Sequence, residues 1–333
     1  MKEKHPDLFG ALLLSVFVHI LLRSQTLFWT RTGLLAMLPG IAISALVGLL
    51  FAHCWPLVKG KLSGGLFGVL LAISAALEIH GLWQLYTVLY PDSVSLLGIS
   101  LTVLIPVLYL RRISAVAQTG NVVLGLMVVA GVVLVLSVAD RLCIDNLQTD
   151  VVSADNLQQA LTAQGTLYPE LLLPALWPDR EKRGSHTIIR LAILGTVFQT
   201  GVHLLLELFF GAGMPQAVNP VHQAARFGNL SIFDRLEWLQ LIVWTMAVSV
   251  KLGLYLYAFT RLTGGKGVRE NNLNGLPQFV LASGMWIILC MILKRLDLYA
   301  QINAWQTVAV WLFAIGVVLA GGVRWSVKIC ARK

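Results

Sequence analysis

The chain has 333 residues, of which 57% are hydrophobic and only 12% charged, about half the charged fraction of a soluble domain. With a mean hydropathy of +0.77, that composition excludes a water-soluble enzyme or binding domain and indicates a chain whose solvent is mostly lipid. The net charge of +9 reflects 25 basic and 16 acidic residues; the basic ones sit in short loops between apolar runs, so they read as topology signals rather than a nucleic-acid surface.

The apolar runs predict spans at about 8–29, 33–57, 63–90, 93–110, 118–138, 157–178, 187–211, 237–260, 276–293 and 303–325, each suited to a helix; the strict alternation of a membrane barrel is absent. The first run superficially resembles a signal peptide but has no small-x-small cleavage site after it, so it is kept as the first helix. His19, Arg23, Ser24 and Gln25 occupy its middle and outer part. Glu78 lies midway along the third span, where an isolated carboxylate is costly unless paired or protonated; Lys251 and His19 are its two candidate partners. The polar loop from Asp140 to Asn156 is acidic, compatible with the outer face.

The sixth span contains Gly165, Pro169, Pro174 and Pro178, which no single regular helix accommodates. Polar or broken helices at corresponding positions of two five-helix halves point to an inverted-repeat transporter, in which unwound backbone serves a mid-membrane ligand. Glu170, directly after Pro169, either holds a ligand ammonium or caps the inner half-helix. In the seventh span, His203 and Glu207 are four apart and hence on one face, which suits a local pair.

The polar segment from Asn219 leads through Ser231 and Asp234, a helix N-cap pattern, into the eighth span. Lys251 interrupts that span near its middle. A lysine there costs about 2.5–3.5 kcal/mol on insertion scales, so it faces a partner or a wet cavity; it is either a surrogate for a bound cation or a fixed structural ion pair.

Pro220, Arg226, Ile232, Phe233, Arg235, Leu236, Glu237, Trp244 and Lys251 stand where a conserved segment of the spore-germination permeases has its pattern, with Asp234 in place of the usual Glu. Leu82–Ile99, Leu108–Val123 and Gly165–Asp179 resemble three further segments of that family, the last through Tyr168, Pro169 and Glu170. The chain therefore resembles the permease-like B subunits of nutrient germinant receptors, a branch of the amino acid–polyamine–organocation superfamily. The resemblance implies an all-α membrane protein of about ten transmembrane helices. It also implies a LeuT-like 5+5 inverted repeat with broken helices 1 and 6 and a sodium site replaced electrostatically by Lys251. His19, Glu78, Tyr168, Pro169, Glu170 and Lys251 are the candidate ligand-binding residues. The implied function is sensing of a small nutrient such as an amino acid in the spore inner membrane, with a larger receptor membrane subunit and a lipoprotein as partners. Two alternatives stand beside it, a proton-coupled amino acid or amine transporter and a non-binding assembly subunit. Walker, dinucleotide, nucleophile-elbow and paired-histidine motifs are missing, so neither an enzyme nor a cofactor or metal centre is expected.

Placing both termini in the cytoplasm puts 17 of the 25 basic residues inside, among them Lys59, Lys61, Arg111, Arg112, Arg261, Lys266 and Arg269, and leaves Arg31, Arg141, Arg226, Arg235, Lys294 and Arg295 outside. Reporter fusions after Lys61, Arg112 and Lys266 are expected to read cytoplasmic, and one near Asp150 to read external. The same reading from Arg112 and Asp150 would overturn the ten-span topology.

Overall fold

The computed structural model describes residues 7–23, 31–90, 94–110, 112–147, 168–176, 181–211, 219–228, 236–263 and 276–330. The described secondary structure is entirely helical: α1 (Phe9–Arg23), α2 (Arg31–Val58), α3 (Lys61–Leu89), α4 (Leu96–Tyr109), α5 (Ile113–Val138), α6 (Pro169–Leu172), α7 (Glu181–Phe210), α8 (Pro220–Phe227), α9 (Leu236–Thr263), α10 (Leu276–Arg295) and α11 (Tyr299–Cys330). Short 3-10 turns follow α5 and α6. Among the described residues, six helices are long and apolar enough to cross a membrane, within α2, α3, α5, α7, α9 and α11; α1 and α4 are apolar but shorter.

Burial separates these helices into a core and a lipid-facing shell. The apolar part of α9 is 78% buried and that of α5 only 22%. Along α9, Leu241, Val248, Leu252, Leu254, Leu256 and Ala258 are buried on every side, which makes it a central helix rather than an amphipathic one. It packs against α3, α5, α1 and α4. Outside, Val122, Val129, Leu136, Leu281, Ile288, Leu312, Leu319 and Val323 are exposed. An apolar surface this continuous is untenable in water but is the ordinary exterior of an integral membrane protein.

Local chemistry explains how the core helices are held. Phe51 and Trp55 of α2, Phe67 of α3 and Phe313 of α11 form one aromatic cluster with centroids 5.3–6.3 Å apart. Tyr86 and Thr245 share a hydrogen bond of 2.8 Å between α3 and α9. Gln306 of α11 donates to Ser74 of α3. Where α1 crosses α5, Gly120 allows backbone contact, since a Cβ there would lie 2.7 Å from the Cβ of Ala11 and 2.8 Å from its Cα.

Two expectations change and a third is met in part. The first helix, expected to be broken around His19 to Arg23, is a continuous α-helix over Phe9–Arg23. Beyond Gly10 that stretch contains neither glycine nor proline, and it presents its polar groups from a regular backbone. The segment after Asn219, expected to be a loop, forms α8, with Asn219 in the left-handed region (φ 55°) and Pro220 at the first helical position. The sixth span is irregular as expected, but only its 168–176 part is described; the Ser231–Asp234 cap, Gly165 and Pro178 lie outside the described residues.

The α1–α5 crossing yields a direct test. Gly120→Leu is expected to lower stability by about 1–3 kcal/mol, because the new side chain meets backbone that cannot rotate away. Gly125→Leu, on the same helix with nothing within 4 Å of its Cβ position, should leave the thermal unfolding temperature in detergent almost unchanged. Equal effects of the two substitutions would refute the close crossing.

A buried lysine between two carboxylates is the candidate functional site

Pro169 starts α6 because its fixed φ suits the first helical position and its missing N–H costs nothing there. Five residues later, Pro174 clashes with the carbonyl of residue 170, so the α-helix gives way to a 3-10 turn at Leu173–Leu176. This short, fully buried element carries Glu170 to the centre of the bundle, against α1, α2 and α7.

There Lys251, on α9, is completely buried. Its Nζ donates to Glu78 Oε1 of α3 at 2.8 Å and lies 2.8 Å from Glu170 Oε1. Tyr255 donates its hydroxyl to the same Glu170 oxygen at 2.6 Å, and the Ser15 hydroxyl of α1 donates to it at 3.4 Å. His19 Nδ1 stands 3.7 Å from Glu78 Oε1 and 3.8 Å from Glu170 Oε1. The ring of Tyr168 meets His19 edge-on at 4.8 Å, and its hydroxyl donates to Gln199 Oε1 of α7 at 2.8 Å.

The six residues singled out from the sequence thus occupy one place, with Pro169 acting through the backbone. Both proposed partners of Glu78 surround it. Glu170 is a second, equally close partner of Lys251 that the sequence did not pair with it. Glu170 does lie in the first turn of α6, but it is fully buried and its Oε1 faces Lys251 and Tyr255. Tyr255 and Ser15 were not singled out, although each lies four residues from a residue that was, Lys251 and His19, and so shares its helical face. His203 and Glu207 are both buried on α7, and His80 stacks on Tyr299 at 4.3 Å as a packing residue. The side chain of Arg23 lies outside the described residues.

Two features decide what the cluster can do. Among the described residues the cluster pairs two carboxyl groups with a single lysine, so a proton, a charged His19 or a cationic ligand can each balance the second carboxyl. In addition, Glu170 Oε2 is buried without a hydrogen-bond partner among the described residues. An acceptor in that position retains capacity for one more donor. Beside the cluster, a cavity of about 20 Å³ between Tyr168, Gln199, Ser44 and Thr196 is about the size of one water.

No family model matches the chain, and no curated protein matches it in sequence.

Removing Lys251 leaves two carboxylates buried without their cation. Lys251→Met is therefore expected to cost about 3–5 kcal/mol, measured as thermal unfolding in detergent. Because Glu170 shares the lysine, Lys251→Met/Glu78→Leu should regain only part of the loss. The triple variant that adds Glu170→Gln should regain most of it. A double variant as stable as the triple would show that Glu170 draws nothing from Lys251.

Proposed function

We propose that this protein is a ligand-responsive, permease-like membrane subunit that recognises a small nutrient bearing an ammonium group, an amino acid or a close relative, at the Glu170–Lys251 cluster. The observation that carries the reading is the buried Glu170 Oε2, without a hydrogen-bond partner among the described residues, in a group of two carboxyls around one lysine on the short irregular element that begins at Pro169. A ligand ammonium supplies both the donor and the charge that the cluster lacks. Because the cluster ties α1, α3, α6 and α9 together, a ligand that competes for Glu170 alters the balance between two packings, by as much as its affinities for them differ.

The resemblance to the germinant-receptor permeases supports sensing over transport, in a spore inner membrane beside a larger receptor subunit and a lipoprotein, and the distribution of basic residues supports cytoplasmic termini. The same resemblance supports ten membrane helices in a LeuT-like 5+5 arrangement with a break in the sixth; its expected break in the first is not present over Phe9–Arg23. The charge count favours one second reading, an amino acid or amine transporter driven by protons, since a proton neutralises the cluster as well as an ammonium does.

Purified protein titrated singly with amino acids and simple amines is expected to gain thermal stability with one chemical class of them. Glu170→Gln should weaken that binding at least tenfold, because a charge-assisted hydrogen bond contributes about 1.5–3 kcal/mol. Radiolabelled uptake into vesicles under an inward proton gradient should be absent for a sensor; gradient-driven accumulation would establish the transporter instead. Stabilisation by none of the compounds would leave the assembly-subunit reading and defeat this one.

A further inference from the structure

A second feature lies on the opposite side of α1 from this cluster. A groove of about 500 Å³ runs between α5 and α7, floored by Phe17 and Leu21 of α1 and by Val243 and Trp244 of α9. Its walls follow α5 from Met127 to Leu136 and α7 from Val197 to Leu206, each about 14 Å at 1.5 Å per residue. Both stretches belong to membrane-length helices, and Val128, Val132 and Val197 on them are exposed. The groove therefore opens sideways into hydrocarbon, where only the membrane's own molecules reach it.

Among the described residues its lining is apolar but for Gln240, which is 8% exposed and whose amide nitrogen and oxygen both lack a full hydrogen bond. His222 stands close enough to interact with this amide, but no full hydrogen bond forms between the two side chains. Gln240 lies in the second turn of α9, near the end of the helix, whereas Phe17 and Trp244 lie deeper. An unpaired amide is costly in such surroundings, and an ester or amide group entering with an apolar tail would satisfy it. The inner wall at that point is the stack of Phe17 on Phe198, centroids 3.8 Å apart. The neighbours of these two rings along the chain, His19 and Gln199, belong to the cluster side.

We propose that this groove is a binding site for a single phospholipid acyl chain, with the lipid's ester region hydrogen-bonded to Gln240 and the tail laid along Phe17, Val243 and Trp244. The site is distinct from the Glu170–Lys251 cluster and stands whether or not that cluster binds a nutrient. A transmembrane helix is a poorer occupant. With side chains it is about 10–12 Å across, and it brings no free donor or acceptor to Gln240 because its backbone is already paired. The glycines make the groove testable: Gly131 and Gly201 line it, and a Cβ on either meets nothing within 4 Å. Leucine at either position fills the groove without disturbing protein packing.

The test reconstitutes full-length protein into phosphatidylcholine vesicles containing a rising fraction of phosphatidylcholine brominated on its acyl chain. Tryptophan quenching is compared between the wild type and Trp244→Phe to isolate the contribution of Trp244. The expected result is Trp244 quenching that saturates at low brominated fraction in the wild type. It should need a severalfold higher fraction in Gln240→Leu and be largely lost in Gly131→Leu and Gly201→Leu. Gly125→Leu, which lies outside the groove, should match the wild type. Quenching that rises in proportion to the bulk brominated fraction, and identically in the filled variants, would show ordinary boundary lipid and overturn the proposal. Purification from native membranes supplies the second arm. A co-purifying polypeptide that is lost from Gly131→Leu and Gly201→Leu would assign the groove to a partner helix and overturn it equally.

Discussion

An ammonium group that has left water must find its compensation within the protein, and Lys251 finds it in two carboxylates at 2.8 Å each. The ion's desolvation amounts to several kcal/mol even after relaxation, and only close, hydrogen-bonded anions offset it. This requirement sets much of the architecture. It brings α3 against α9, draws a short proline-bounded element into the bundle, and turns the polar face of α1 inward. The helix carrying the lysine is consequently the most enclosed of the membrane-length helices, and the outer helices can remain apolar on their exposed sides.

The same arrangement separates stability from response. A lone lysine–carboxylate pair would be a static brace. With a second carboxylate the cation is shared, and its environment can change without the ion ever being unpaired. Glu170 has one oxygen crowded by Lys251, Tyr255 and Ser15 and the other without a partner among the described residues. A donor arriving on the open side of such an asymmetric carboxylate reduces the demand on the crowded one. The proline that starts α6 and the one that ends it confine this residue to a segment that regular helix hydrogen bonds do not lock.

Much of the cluster was legible because charge inside an apolar run is rare and expensive. Lys251, Glu78 and Glu170 stood out on those grounds, and proline spacing marked the irregular sixth span. Tyr255 and Ser15 were not legible as single residues, since a tyrosine or serine in a membrane helix needs no special partner; only their four-residue spacing from Lys251 and His19 relates them to the site. Helix α8 was obscured by its polarity, which reads as loop until Pro220 is recognised as a first helical residue. The expected break in the first helix came from the resemblance and not from the residues, which contain no breaker between Phe9's first turn and Arg23. The groove was invisible to the sequence, because its valines and glycines spread over α5 and α7 look like any lipid-facing surface until the helices are placed side by side.

The separation of Glu78 and Lys251 by 173 positions also has a consequence for how the protein is made. Chains are synthesised at about 5–20 residues per second, so roughly ten to thirty seconds pass between the emergence of the anion and that of its cation. Throughout that interval α3 carries an acidic group bound for a dry interior whose counter-charge does not yet exist. Until α9 arrives, Glu78 and then Glu170 can avoid a bare buried charge only by carrying a proton or by facing a hydrated boundary. The ion pair is therefore a late event in the making of this protein, formed only after most of the helices that surround it already exist.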